Sequence, residues 1–533
     1  MEQRRNNISQ LKHEFFDVVI VGAGINGAVA AASLAADGLK VALLERSDFA
    51  AGASSNSSNL IWGGIKYLER CELPLVSALC RGRNTLMRIF PEGVREIRFL
   101  ASIERGFRFP AAVFFIATMF YWVIGKFKTR GPRYVTKGRI AQLEPVVNMD
   151  RVQAGCEYSD AFLIDNDARF VFQFIKSAMN SGCCAVNYAQ VYSAKYQSGA
   201  WKLKVKDCEN DCNFRVKARI LINAAGNHVD EFNQVAGITT THRHVFSKGV
   251  HLIVKQLSLS NKVLTFFAND GRLFFAIPMG KRTCLGTTDT RVESPEFKVN
   301  DADREFILSN ANRLLTLSKP LTTDDIVSER CGARPLAVKN TAADADWLAL
   351  SRKHVIEVHS ERFHISVFGG KLTDCLNIGD ELRESVRVLL KQPRRPEKPW
   401  CERASEKVRV AYHAQAEDLG LGLLVQHGEP LSERYWRRYG HDAFRLLALF
   451  RERPELIQPI FSGSDFTQLE LDLVRETEMI TRLSDFLRRR TMIELVEGKA
   501  ELVKREEMLT LCECFFGDNA TEKLAEYLAE GRE

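Results

Sequence analysis

Residues 15–21, FFDVVIV, form a continuous apolar and β-branched run. Such runs are buried on both faces of a parallel sheet, which predicts a strand. After GAGING the chain becomes Ala-rich, AVAAASLAAD, a strong helix former. Gly38 ends that stretch and KVALLE reads as a second buried strand, completing a β-α-β unit of about 30 residues. Farther along, RFVFQFIKSAMNSG predicts a helix, AVNYAQVYSAKYQ a strand and RILINAAG another apolar strand. From about residue 243 to 290 the pattern changes to short alternating runs, VHLIVKQL, RLFFAIPM and TCLGTTD, which predict an antiparallel sheet.

The segment KQPRRPEKPW, 391–400, sets three prolines among four basic residues and predicts a linker. Beyond it, YWRRYGHDAFRLLALF and TQLELDLVRETEMITRLSDFLRRR carry helical apolar spacing. A separate, mainly helical domain is expected over 401–533. The longest apolar run is PAAVFFIATMFYWVIG, Pro110–Gly125, followed by KFKTRGPR. It falls short of the roughly 20 residues of a spanning helix. It reads either as a buried core segment or as a piece that dips into a membrane face, with Trp122 and Tyr121 at the interface. Lys126, Lys128, Arg130 and Arg133 would then meet anionic headgroups.

A length of 533 residues allows three or four domains, and 45% hydrophobic with 26% charged residues is ordinary for a globular chain. The net charge of +7 is mild for a nucleic-acid binder, and none is expected as partner. It suits an acidic substrate or an anionic surface. The 13 cysteines show no zinc-type spacing, so no metal site is expected, and free thiols in a reducing compartment are the reading. No apolar stretch follows the basic start MEQRRNNISQLKHEFF, which predicts an intracellular protein.

Gly22, Gly24 and Gly27 make G-x-G-x-x-G directly after a strand and before a helix. The first glycine makes the turn, the second lets backbone approach a pyrophosphate, and the third lets helix pack on sheet. Glu45 ends the second strand, 18 residues past Gly27, where an acid binds a ribose hydroxyl pair. An unmodified dinucleotide is therefore favoured over a 2′-phosphorylated one. Next come Ser54, Ser55, Ser57 and Ser58, ahead of Gly63-Gly64. They read as a flexible polar loop or as a wall lining a phosphate or isoalloxazine edge.

Together these residues resemble the FAD-dependent glycerol-3-phosphate dehydrogenase family of the amino-acid-oxidase-like flavoproteins. The likeness runs from DVVIVGAGINGAVAAASLAADGLKVALLERSDFAAGASSNSSNLIWGGIKYLE through EYSDAFLIDNDARF, INAAGNHV, KGVHLIV, FFAIPMGKRTCLGTTD, GARPL and VFGGKLT to RYWRRYG and ETEMITRLSDFLRRRT. It implies an α/β fold with a Rossmann-type FAD-binding domain, an antiparallel-sheet substrate or cap domain and a helical C-terminal domain. The oxidoreductase region would span 1–390, with FAD-binding parts near 15–75, 150–240 and 325–390 and cap parts near 76–149 and 241–324. It also implies oxidation of sn-glycerol 3-phosphate to dihydroxyacetone phosphate, flavin N5 taking a hydride. Electrons would pass to a membrane quinone, or to oxygen in the oxidase branch, from an enzyme attached peripherally to the cytoplasmic membrane face. A homodimer is one assembly to test.

Carried over by position, Gly22, Gly24, Gly27 and Glu45 would hold the ADP half, and Ser54, Ser55, Ser58 and Leu60 would lie along the pyrophosphate and flavin. Asn26, Arg46 and Gly63 are further cofactor-binding candidates. Ala225 and Gly226 match a second small-residue contact, and Val191 a backbone contact near adenine. Gly369, Gly370, Lys371, Leu372 and Thr373 would border the flavin ring and ribityl chain. Arg334 of GARPL matches a phosphate-binding arginine, a role suited to a bidentate guanidinium. Lys371 adds charge beside the flavin, Lys248 and His251 match positions near the site, and Lys66 and Tyr67 would face the substrate. His251, Lys371 and Arg334 are the catalytic candidates.

The chain departs from the family at Trp62 and Lys66, where HGG-x-R-Y is usual. Asp374 ends GGKLTD instead of threonine, and Asn227-His228 replaces Pro-Trp. These changes fall mainly on the substrate side. A flavin oxidoreductase acting on another small hydroxy or amino substrate, or a flavin-binding membrane-associated protein with little turnover, therefore stays open as an alternative.

Overall fold

The computed structural model describes residues 2–341, 353–393, 399–401, 404–426 and 428–530. Residues 394–398 of the expected linker lie outside the described residues. Trp400, at its end, is docked, its indole donating to Asp380 at 2.7 Å.

The FFDVVIV run is the strand Phe15–Val21, paired in parallel with Val41–Leu44 on one side and Cys212–Asn223 on the other. Its central position explains the missing alternation: both faces are covered. Helix Ile25–Ala36 lies on one face with helices Asp167–Asn180 and Cys375–Leu389. The other face packs the hairpin Ala189–Gln197/Ala200–Asp207 and the helix Glu2–His13. Six of the sheet's eight strands run in the order Val355–His359, His364–Phe368, Cys212–Asn223, Phe15–Val21, Val41–Leu44, Cys184–Val186, and the hairpin joins through Ala200–Asp207, antiparallel to Cys212–Asn223.

AVNYAQVYSAKYQ, read as one strand, is two. Cys184–Val186 runs parallel to Val41–Leu44, and Ala189–Gln197 then turns away, antiparallel to Ala200–Asp207. The break falls at Asn187–Tyr188, where Tyr188 has φ +52° and the buried Asn187 amide donates to Asp48 at 3.0 Å.

A second, ten-stranded mixed sheet stands beside the first. The alternating runs of 243–290 belong to it, but VHLIVKQL is only the second half of a 14-residue strand, His242–Lys255. That strand pairs antiparallel with Ile326–Lys339, setting Ser247 opposite Arg334 and His251 opposite Arg330. Arg334 of GARPL is thereby brought beside KGVHLIV.

The apolar run is the helix Ala111–Ile124, and it is neither a span nor a core element. No helix among the described residues is long and apolar enough to cross a membrane. Ala111, Thr118 and Tyr121 face inward, while Val113, Ile116, Phe120 and Val123 are exposed. Trp122 is half-buried, its indole donating to Thr129 O at 2.7 Å. Tyr121, expected at the interface, is buried, its hydroxyl 2.9 Å from both oxygens of Asp160.

Helices Glu406–Asp418, Leu431–Tyr439, Ala443–Glu452, Gln468–Thr477, Glu507–Phe516 and Ala520–Ala529 surround a core of their own. The stretch TQLELDLVRETEMITRLSDFLRRR does not continue as one helix: it stops at Thr477 and re-forms as a single wide turn, Asp485–Arg490. Glu478, just past the break, is buried against Arg169 of the first region at 2.5 Å. Arg437 and Arg438 reach Asp165 in the same way. The helical region is therefore joined to the rest by buried ion pairs. Removing one member of such a pair costs about 3–5 kcal/mol because the other is left uncompensated.

Candidate active site

At the glycine turn, Gly22 has φ +98°, and a Cβ there would sit 2.5 Å from Ala224 O. A Cβ on Gly27 would fall 1.8 Å from Gly22 O. These two glycines exist for packing: the turn is pressed against the 224–226 segment, bringing Ala225 and Gly226 to it. Gly24 differs, since its Cβ would meet only Ser54 Oγ, at 3.3 Å. Open space at the second glycine and a helix starting at Ile25 are what a pyrophosphate needs.

Glu45 accepts from Ala23 N at 2.7 Å and Ser47 N at 2.9 Å. Burial raises its pKa, with those two amides opposing the rise. Arg46 is exposed, its guanidinium 2.7 Å from His228 Nε2, so the Asn227-His228 departure meets Arg46. Val191 lies on the hairpin strand Ala189–Gln197, and it and Ala225 both pack against the same apolar cluster.

A cavity of about 340 Å³, within the range of small-molecule sites, opens where the two sheets meet. Ser54, Ser58 and Leu60 line it, as do Gly370, Lys371, Leu372 and Thr373. So do Lys66, Tyr67, His251 and Arg334. Eleven of the candidate residues are thus brought to one place from five separate segments. Ser55 is turned inward, donating to Ala51 O and Gly52 O.

Gly369 and Gly370 have φ +67° and +109°. The first is held from two sides: its carbonyl accepts from Asn26 Nδ2 at 2.9 Å and its N–H donates to His244 Nε2 at 3.0 Å. Asn26 thus spends its amide tethering this loop.

Arg334 Nη2 donates to Thr287 Oγ1 at 3.1 Å, and Nη1 lies 3.5 Å from Asp289. Asp289 also accepts from Ser247 Oγ, and its carbonyl from Arg272 at 2.7 Å. Room for the guanidinium comes from Gly249, whose Cβ would be 2.7 Å from Nη2. Lys371 Nζ donates to Tyr67 OH at 2.9 Å and sits 4.2 Å from that ring's centroid. His251 is buried, and burial, with Arg334 and Arg330 nearby, lowers its pKa to about 3. It is a neutral imidazole at physiological pH.

Lys248 is not in the cavity. Side chains alternate along a strand, and Lys248 points to the far side from Gly249 and His251, pairing with buried Asp303 at 2.6 Å. Asp374 also turns away from the cavity: it meets His354 Nδ1 at 2.6 Å, while His354 Nε2 is 3.0 Å from Glu381. Burial alone would depress His354, but the two carboxylates outweigh it and raise its pKa.

Several lining residues were not singled out from the sequence. Arg272 and Lys353 add cations, giving with Lys66, Arg334 and Lys371 five against the carboxylates Asp167 and Asp289. Asp289 stands in GTTD, three residues past the strand Arg282–Gly286, where its carboxylate gave no periodic signal. The Trp62–Gly63 wall rests on a buried cluster. Asp160 accepts from Gly63 N at 3.0 Å, from Arg83 at 2.6 Å and from Tyr121.

Residues 17–365 match the family described as FAD dependent oxidoreductase. Residues 407–520 match the C-terminal domain of alpha-glycerophosphate oxidase. The aerobic glycerol-3-phosphate dehydrogenase of Bacillus subtilis (strain 168) is 27% identical over 508 residues, 92% of this chain and 89% of that one. Its namesake from Escherichia coli (strain K12) is 28% identical over 486 residues, 89% and 93%. Among solved structures, the glycerol-3-phosphate dehydrogenase from Bacillus halodurans complexed with FAD has a TM-score of 0.75 at 24% identity, covering 98% of this chain and 95% of that one. L-alpha-glycerophosphate oxidase from Mycoplasma pneumoniae with FAD bound covers 73% of this chain and 98% of its own, with a TM-score of 0.55 at 17% identity. These two likenesses are of fold. The glycine turn, the acid at the second strand and the cavity fit an FAD, and the family match spans 17–365: this chain belongs to the FAD-dependent oxidoreductases.

Proposed function

We propose that this enzyme oxidises sn-glycerol 3-phosphate to dihydroxyacetone phosphate and passes the electrons to a membrane quinone. The observation that carries the reading is the charge of the cavity: five cationic side chains against two carboxylates, with apolar Trp62, Leu273 and Phe275 alongside. A small phosphate ester, anionic at one end, suits it. The relatives' names point to the same substrate.

When bound, FAD supplies the hydride acceptor, N5. Arg334 holds the phosphate bidentately and Lys66 adds a point charge. Lys371, fixed by Tyr67, orients the substrate beside the flavin-side loop. His251 accepts the hydroxyl proton at its imidazole. The phosphate dianion offsets the Arg334 charge and so raises the basicity of His251 only when substrate is present. Gly22, Gly24, Gly27, Glu45 and the 225–226 and 369–373 segments hold the cofactor.

The test is anaerobic: sn-glycerol 3-phosphate should bleach the flavin band at about 450 nm within the turnover time, and glycerol or glycine should not. Bleaching by glycine alone would overturn the reading in favour of an amino substrate. Trp62→His with Lys66→Arg restores the family pattern and should raise kcat/KM for glycerol 3-phosphate. A double variant no better than its parent sinks that account of Trp62.

The attachment to the cytoplasmic face of a membrane rests on the helix Ala111–Ile124. Val113, Ile116, Phe120 and Val123 line its exposed side, and Phe109 and Phe127 flank it. Lys126, Lys128, Arg130 and Arg133 are exposed next to it. Each basic residue near an anionic surface contributes about 1 kcal/mol. Ile116→Ser/Phe120→Ser/Val123→Ser should lose cosedimentation with anionic vesicles while keeping FAD and activity with a soluble dye. Undiminished cosedimentation at low salt would show that the attachment lies elsewhere.

A further inference from the structure

The turn from Glu45 to Ala50 brackets the glycine motif. The Glu45 carboxylate accepts from Ala23 N at 2.7 Å, and Ala50 N donates back to Ala23 O at 3.0 Å. The second neighbour of this turn is the 186–189 segment: Glu45 N donates to Val186 O at 3.0 Å, Tyr188 N to Ser47 O at 2.8 Å and Ala189 N to Glu45 O at 2.7 Å.

At the centre of both sits Asp48, wholly buried. A buried carboxylate needs partners, and two of the three that Asp48 has come from the far end of the chain. Arg489 Nε is 2.7 Å from Oδ2. Arg490 makes a fork, Nη1 to Oδ2 at 2.7 Å and Nη2 to Oδ1 at 3.0 Å. The third is Asn187, which also donates to Met479 O at 3.2 Å. Tyr188 donates its hydroxyl to Asp485 at 2.7 Å, and Arg489 holds the same carboxylate at 2.5 Å. Arg490 also lies 4.2 Å from the ring centroid of Phe172. Burial would push the Asp48 carboxyl up, but the two guanidinium groups override it and hold its pKa at about 2.

These contacts explain why the helical pattern of the C-terminal region breaks where it does. Residues 479–490 give up helix continuity to present two arginines and one aspartate to the underside of the cofactor turn. We infer that the C-terminal region is a clamp on the cofactor: Arg489 and Arg490 are positioning residues that fix the Glu45–Ala50 turn, and FAD retention depends on them. The inference rests on the reading of the glycine turn, which the Glu45–Ala50 turn braces, as the place where the cofactor binds.

The test measures how fast the full-length holoenzyme loses FAD after dilution, followed by the rise of free-flavin fluorescence. Arg490→Met should speed the loss at least tenfold, and Tyr188→Phe, which removes one hydroxyl, about threefold. Asp48→Asn/Arg490→Met leaves no ion buried alone, so it keeps the fold if the single variant does not; it too should lose FAD at least tenfold faster. Lys523→Met breaks another contact between the same regions, to Glu209 at 2.8 Å, and should leave the rate at the parental value. An Arg490→Met or double variant that folds and holds FAD as the parent does would overturn the clamp. Equal acceleration in Lys523→Met would also overturn it, showing general loosening of the interface. Glu45→Gln separates the two readings. If it speeds the loss and the Arg490 variants do not, the clamp fails and the ribose reading stands. If only the Arg490 variants speed it, the clamp stands without Glu45.

Discussion

Arg334→Ala should lower kcat/KM for sn-glycerol 3-phosphate by about two to three powers of ten. Truncating one partner of a hydrogen-bonded charge pair costs roughly 2–5 kcal/mol, and each 1.36 kcal/mol is about tenfold in rate. Two features of the site push the effect toward the upper end. Asp289, 3.5 Å from the guanidinium, would lose this counter-charge and repel the phosphate dianion. Thr287 Oγ1, 3.1 Å from Nη2, would lose its donor as well. Arg334→Lys should recover part of the loss, because it restores charge without the fork. Lys66→Ala should cost less than Arg334→Ala. The same variant has a second readout. Arg334 helps to depress His251, so the imidazole pKa should rise in Arg334→Ala, though burial, the larger cause, keeps it below the usual 6.5. Steady-state kinetics and a histidine NMR titration check both parts. A kcat/KM within threefold of the parent would show that the substrate anion binds elsewhere.

The residues legible in the sequence are those whose role is carried by backbone geometry. A glycine turn after a buried strand announces itself through spacing, so Gly22, Gly24, Gly27 and Glu45 were readable without a structure. His251 and Arg334 were legible only through the family likeness, because they come from strands whose register no periodicity fixes. Lys248 shows the cost of that route. It stands three residues from His251, yet alternation along the strand turns it toward Asp303. Asp289, Arg272 and Lys353 stayed hidden because a single charge in a sheet or loop carries no pattern. The helix Ala111–Ile124 was visible as an apolar run, but which side faced water depended on Tyr121 finding Asp160. The break after Thr477 was invisible for a related reason: the partners that draw Glu478 and Asp485 inward, Arg169 and Tyr188, lie some 300 residues earlier.

Gly24→Val should yield a folded protein without FAD, and Gly27→Ala a protein that does not fold, although the two positions are three residues apart. The difference lies in what each added Cβ meets. At Gly27 it would be 1.8 Å from the carbonyl oxygen of Gly22, a backbone atom at the end of the central strand. Relief would require the helix Ile25–Ala36 to lift from the sheet, and that helix is buried along most of its length. At Gly24 the Cβ meets only the tip of Ser54 at 3.3 Å, so the protein has room for it. The valine methyls would instead fill the space over the helix N-terminus that a pyrophosphate must enter. Gly24→Val should therefore be colourless, retain its far-ultraviolet circular dichroism and fail to gain flavin absorbance when FAD is added in excess. Gly27→Ala should be recovered only as aggregated material. A yellow Gly24→Val protein would show that the cofactor phosphates do not approach this turn, and the dinucleotide reading of the whole N-terminal motif would fall with it.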